Sequence, residues 1–133
     1  MTVVKVCPVI TRSRAEGLQI LAFRHPLAGK QLVKGTLEDG EAPEDAALRE
    51  LKEEAGLDAI VARPLGVSGE IAPGQSWMFY LCAAGRQPDD WTHHCADDGG
   101  HLFEFFWQCI DDDPDSDWHP VQKAALAFIR TVL

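Results

Sequence analysis

Residues 35–57 read GTLEDGEAPEDAALRELKEEAGL, and this stretch decides the fold. Its second half carries the punctuation of a helix. Pro43 suits the first helical position, where a missing N–H costs nothing; Glu44 and Asp45 favour the positive pole; Gly56 supplies the stop. The body between them, DAALRELKEEA, consists largely of strong helix formers. On such a helix Ala47, Leu48, Leu51 and Ala55 form an apolar stripe that can seat it on a sheet. Glu50, Glu53 and Glu54 stand at i, i+3 and i+4, so three carboxylates share a neighbouring face.

Like charges at these spacings oppose one another by about a few tenths of a kcal/mol per pair. One reading is a solvated acidic face relieved by Arg49 and Lys52. The other is a set of oxygen ligands for a hard cation such as Mg²⁺ or Mn²⁺, which binds phosphates in turn. The helix by itself leaves both open.

Working outward, residues 3–10 (VVKVCPVI) and 18–24 (LQILAFR) are rich in apolar and branched side chains and predict two strands joined by a polar turn. Residues 31–33 suggest a short third strand leading into Lys34 and Gly35. Residues 59–67 and 76–83 read as further strands, residues 88–100 as a polar loop that His101 closes, and residues 102–110 (LFEFFWQCI) as an aromatic strand. Pro120 opens a closing amphipathic helix with Val121, Ala124, Ala125, Phe128, Ile129 and Val132 on one face. Strands, helix, strands, helix: this order predicts an α/β or α+β layered domain with a mixed sheet.

The 133 residues suffice for one compact domain (1–133) with a real core and are too few for two. With 46% hydrophobic and 25% charged residues, the composition is that of a soluble globular protein. A net charge of -9 without a basic stripe disfavours polymeric nucleic acid, while a small anion remains admissible if cations neutralise the local field. Cys7, Cys82, Cys95 and Cys109 form no Cys-x-x-Cys pair, and Cys82 and Cys109 lie in apolar runs. Free thiols, a first segment unlike a signal peptide and no run of membrane-spanning length lead to the expectation of a cytoplasmic protein.

The residues ahead of the helix decide its meaning. Gly35, Glu41, Arg49-Glu50-Leu51, Glu53-Glu54 and Gly56-Leu57 stand in the spacing G-x5-E-x7-R-E-U-x-E-E-x-G-U, with U a bulky aliphatic residue. The stretch resembles the Nudix box at every defined position, and the order of elements around it resembles a whole Nudix domain of the MutT-like kind. The resemblance implies an α/β/α sandwich with the mixed sheet between helices. It also implies hydrolysis of a phosphoanhydride bond in a nucleoside diphosphate linked to another moiety, with Mg²⁺ or Mn²⁺ as cofactor.

Carried over onto this chain, the resemblance makes Glu53 and Glu54 the principal metal ligands, Glu50 a further ligand or base, and the Gly35 carbonyl an added ligand. Arg49 and Glu41 become residues that orient the acidic cluster, Gly56 a structural residue of the box, and contact between Arg49 and phosphate a lesser alternative. A distal base is sought first at Glu104, with Asp97, Asp98 and Glu70 behind it; exposure on an edge strand is an equal reading for Glu104.

Substrate signals are weaker. Lys34 before Gly35 resembles the Lys-Gly opening of hydrolases of dinucleoside polyphosphates, and the short chain resembles nucleoside triphosphate hydrolases. Pro73, sixteen positions beyond Leu57, resembles ADP-ribose hydrolases, although IAPGQ also reads as a plain turn. Triphosphates or dinucleoside polyphosphates are thus favoured over ADP-ribose and nucleotide sugars. Trp77, Phe79, Phe105 and Trp107 are candidates for base stacking and, more often in strands, for the core. His93, His94, Cys95 and His101 match no zinc spacing. A nucleotide-sensing domain without turnover is disfavoured by the intact box, and an isoprenoid diphosphate isomerase by the cysteine contexts. The aromatic strand and the 88–100 loop could serve a homodimer or a lid.

Overall fold

The computed structural model describes residues 2–133, apart from the side chain of Asp98. Ten regular elements follow one another: β1 (Val3–Arg14), β2 (Gly17–His25), β3 (Gly29–Gln31), β4 (Gly35–Thr36), α1 (Pro43–Ala55), β5 (Ile60–Ser68), β6 (Gln75–Ala83), β7 (Trp91–Cys95), β8 (His101–Cys109) and α2 (Pro120–Val132), with a 3-10 turn at Asp97–Gly99. The sheet runs β5-β6-β1-β2-β8-β7, with β3 on β2 and β4 on β1. It is mixed: β1 and β6 are parallel and the other pairs antiparallel.

The strand β1 organises the rest. Partner β6 takes one edge along residues 3–10, and the other edge passes from β4, at Lys5 and Val6, to β2, from Thr11 to Arg14. Side chains alternate along it. Val6 and Ile10 join the core under α1 with Phe23, Ala46, Ala47, Leu51 and Phe105, while Cys7 and Val9 join the core under α2 with Ile20, Leu126 and Ile129. Two apolar layers therefore sandwich the sheet, as an α/β/α arrangement requires.

Several expected boundaries move, each for a local reason. The first hairpin continues through the polar stretch to a two-residue turn, because Thr11, Arg12, Ser13 and Arg14 pair with Ile20, Gln19, Leu18 and Gly17. The third strand lies at Gly29–Gln31 instead of residues 31–33. Leu32 leaves the ladder because its N–H donates to the side-chain oxygen of buried Gln122 on α2, at 3.1 Å.

The 88–100 segment is not loop throughout. Residues Trp91–Cys95 form β7 against β8, with Trp91, His93 and Cys95 on the less exposed face and Thr92 and His94 outward. The alternation is there in WTHHC, but its polarity hides it. Cys82 is buried as expected, whereas Cys109 is only partly buried and accepts a hydrogen bond from Gln19. On α2 the predicted face is joined by Leu126, which is fully buried. No helix among the described residues is long and apolar enough to cross a membrane.

Candidate active site

Helix α1 is held by its cap as well as its stripe. Ala42 precedes it without a side-chain cap, Pro43 enters at the first turn, and Gly56 ends it with φ 73°, its N–H donating to Lys52 O at 3.0 Å. Ala46, Ala47, Leu51 and Ala55 are buried, so Ala46 takes the place expected of Leu48, which packs at the margin. The same burial carries Glu50 and Glu54 inward: their exposures are 7% and 8%, against 43% for the Glu53 side chain.

Burial sets the state of these carboxylates. Desolvation raises Glu50 above the ordinary carboxylate range, opposed by the Arg49 guanidinium. Desolvation pushes Glu54 further, up to about 8, opposed by the charge of Lys34 and by the Lys34 N–H, which donates to Glu54 Oε1 at 3.2 Å. In both groups burial disfavours the charged form, and a cation alongside offsets that penalty.

Arg49 is the hub beside them. Its Nε and Nη2 donate to the two oxygens of Glu41, at 2.7 and 3.0 Å. Its Nη1 donates to Glu50 Oε1 at 2.8 Å and Glu53 Oε2 at 3.3 Å, and Nη2 also reaches Thr36 O at 3.3 Å. The hydrogen bonds from Arg49 hold Glu41 below the ordinary carboxylate range, and Glu41 in turn raises Arg49.

Gly35 meets this cluster from β4. Its backbone is not in the left-handed region, yet a Cβ there would overlap the carboxyl group of Glu50. The glycine is needed because the carboxylate occupies the space of a side chain.

Glu50, Glu54, Lys34 and Gly35 line one open cavity of about 650 Å³ with Lys5, Thr36, His25, His101 and Asp97. Lys5 donates to Thr36 Oγ1 at 2.8 Å, and burial lowers its pKa, with Lys34 acting in the same direction. His25 Nδ1 accepts from the backbone N–H groups of Leu27 and Ala28, at 3.0 and 3.2 Å, and its ring lies 4.7 Å from that of His101. Lys5 and His25 escaped sequence reasoning as site residues because strand pairing alone brings them there, and His101, weighed in the sequence only as a zinc ligand, arrives the same way.

Other candidates are dispersed. Glu104 lies in a second cavity of about 660 Å³ with Arg24, 3.6 Å from its guanidinium. Its neighbours Phe103 and Phe105 face the α1 core, so alternation along β8 turns Glu104 to the opposite side. Asp97 is the distal carboxylate that reaches the main cavity. Glu70 is exposed in the loop after β5, and the side chain of Asp98 lies outside the described residues. Trp77, Phe79 and Phe105 are core residues, and Trp107 lies under Arg12, 4.4 Å from its ring centroid. Cys95 and His101 line the main cavity, whereas His93 faces the end of α1.

Glu50 and Glu54 supply hard oxygen donors whose charged forms are penalised until a cation arrives, which fits a divalent ion. Among the described residues no three His, Cys, Asp or Glu side chains yet gather closely enough to hold one. Glu53 is turned to Arg49 instead.

Known proteins share this fold. A family model described as the NUDIX domain matches residues 1–128. A mouse ADP-sugar pyrophosphatase is 44% identical over 63 residues, a stretch covering 44% of this chain and 29% of the mouse protein. Among solved structures, an ADP-ribose pyrophosphatase from Streptococcus suis superposes with a TM-score of 0.64 at 19% identity, covering 98% of this chain and 92% of that one. A MutT Nudix hydrolase from Burkholderia pseudomallei does so at 0.66 and 23%, covering 96% and 97%. These last two likenesses speak to the fold, and the family match over residues 1–128 identifies the chain as a member of the Nudix family.

Proposed function

We propose that the chain is a Mg²⁺- or Mn²⁺-dependent pyrophosphohydrolase of a nucleoside diphosphate linked to a further phosphate, nucleotide or sugar. The observation that carries this reading is the pair of buried carboxylates, Glu50 and Glu54, on the wall of a cavity that also holds Lys5 and Lys34. Glu50, Glu53, Glu54 and the Gly35 carbonyl would hold the ion, and Arg49 and Glu41 orient them. A bound divalent ion would withdraw charge from the anhydride oxygens and lower the pKa of a coordinated water.

The residues of the chain supply the rest. Lys5 and Lys34 place positive charge where the phosphates enter. Arg49 fixes the orientation of Glu50 and Glu41 by charge-assisted hydrogen bonds. A carboxylate in the cavity accepts the proton of the attacking water: Glu50 or Glu54, with Asp97 taking the distal role first sought at Glu104. Free cysteines are consistent with a cytoplasmic setting.

The two lysines favour a triphosphate or dinucleoside polyphosphate. ADP-sugar is the second reading, favoured by the mouse ADP-sugar pyrophosphatase match. A screen of nucleoside triphosphates, dinucleoside polyphosphates, nucleotide sugars and ADP-ribose, with Mg²⁺ and Mn²⁺, separates them by product. Turnover of one class that Glu53→Gln abolishes is the expected result. Binding without turnover across the panel would instead make the chain a nucleotide sensor.

A further inference from the structure

The last turn of α1 carries Glu53 and Glu54, and its carbonyls have no partners within the helix. Strand β7 provides partners for two of them, Glu53 O and Ala55 O. Trp91 Nε1 donates to Ala55 O at 3.2 Å, and His93 Nε2 lies 3.1 Å from Glu53 O. A carbonyl can only accept, so this hydrogen bond requires a proton on His93 Nε2. The ring reaches this position because Gly56 has no side chain. A Cβ at Gly56 would lie 2.8 Å from His93 Nδ1 and 2.9 Å from its Cε1.

We infer that His93 is a positioning residue: with Trp91 it clamps the end of α1 and so fixes the backbone from which Glu53 and Glu54 project. Neither residue lies in the box, and neither lines the main cavity. The clamp gives Gly56 a second reason to be glycine, beyond its left-handed φ of 73°. Glu53 and His93 are 40 residues apart in the chain, yet the box glycine is shaped to the β7 histidine. Trp91 is further braced by stacking on Phe105, with centroids 5.0 Å apart and planes 7° from parallel.

The role of His93 in ion binding rests on the metal-dependent reading above, so the test has an arm that does not need it. Amide hydrogen exchange of the whole chain is compared between wild type and His93→Ala. Faster exchange confined to residues 52–57, with α2 unchanged, is the expected result. Uniform acceleration, or none, overturns the clamp.

In the second arm Mn²⁺ affinity and turnover are measured. Groups that hold metal ligands in place typically contribute about 10-fold or more, so His93→Ala should weaken Mn²⁺ binding by about that factor. His93→Gln, whose amide N–H can reach Glu53 O, should recover to within about threefold of wild type. Equal losses in Ala and Gln variants would overturn the hydrogen-bond role. A wild-type protein that neither binds Mn²⁺ nor hydrolyses any nucleotide refutes the metal-dependent reading, while the exchange result still decides the clamp.

Discussion

Gly35→Ala separates the chemistry of this site from its stability. The backbone at Gly35 accepts an alanine, so the whole effect of the substitution falls on the Glu50 carboxyl that fills the space of the new methyl. Carbon atoms in contact sit about 3.5 Å apart, which requires the carboxyl to retreat by more than roughly 1 Å. Retreat breaks or lengthens the 2.8 Å bond from Arg49, a charge-assisted interaction of about 1.5–3 kcal/mol. Part of that loss is returned, because a carboxyl leaving the protein interior regains water, and burial is what holds Glu50 above its ordinary range. The net cost should be about 1 kcal/mol, or roughly 4 °C in Tm for a chain of this size. Activity should fall far more, since a misplacement of about 1 Å at a reacting group can cost 100-fold. The assay is kcat/KM on the substrate found in the screen, beside thermal unfolding of the same preparation. Gly35→Ala with activity within about fivefold of wild type would refute the reasoning, as would a fall in Tm large enough to account for the lost activity.

Glu54→Gln tests the buried charge. A carboxyl near 8 in the folded protein and in the ordinary range when unfolded takes up a proton on folding, so metal-free stability declines as pH rises from about 4.5 to 8. The Gln variant should show a flatter Tm-against-pH curve in EDTA and exceed wild type at pH 8, with the advantage lost when Mn²⁺ is added; parallel curves would rule this out. Arg49→Lys keeps the charge but not the five-donor fork that reaches Glu41, Glu50, Glu53 and Thr36. It should lower turnover by about 10- to 100-fold with a small change in Tm, and full activity would show that point charge alone suffices.

The parts of the site legible in sequence are those encoded by local spacing. Helix α1, its stop at Gly56 and the side-by-side carboxylates follow from a 3.6-residue period and one glycine. What escaped, or was weighed in the wrong role as His101 was, is non-local. Lys5 reaches the cavity through the pairing of β1 with β4, and His25 and His101 through the pairing of β2 and β7 with β8. Glu104 is instructive because the information was present: two buried phenylalanines flank it, and a strand cannot send three consecutive side chains to one face. Strand β7 was hidden by composition, since its inward residues are a tryptophan, a histidine and a cysteine among polar neighbours.

The alternation of β1 between two cores bears on how such a chain can change over generations. Cys7 and Val9 are buried with α2, and Val6 and Ile10 with the helix that bears the carboxylates. A substitution on the α2 side alters the foundation without addressing the chemistry, so that layer is free to drift by compensating swaps of volume. A one-residue slip of β1 would exchange the two sets at once. It would also carry Lys5 off the cavity and unseat Gly35 from Val6. The face of β1 turned to α2 therefore tolerates exchanges of similar volume as long as the register of the strand is kept.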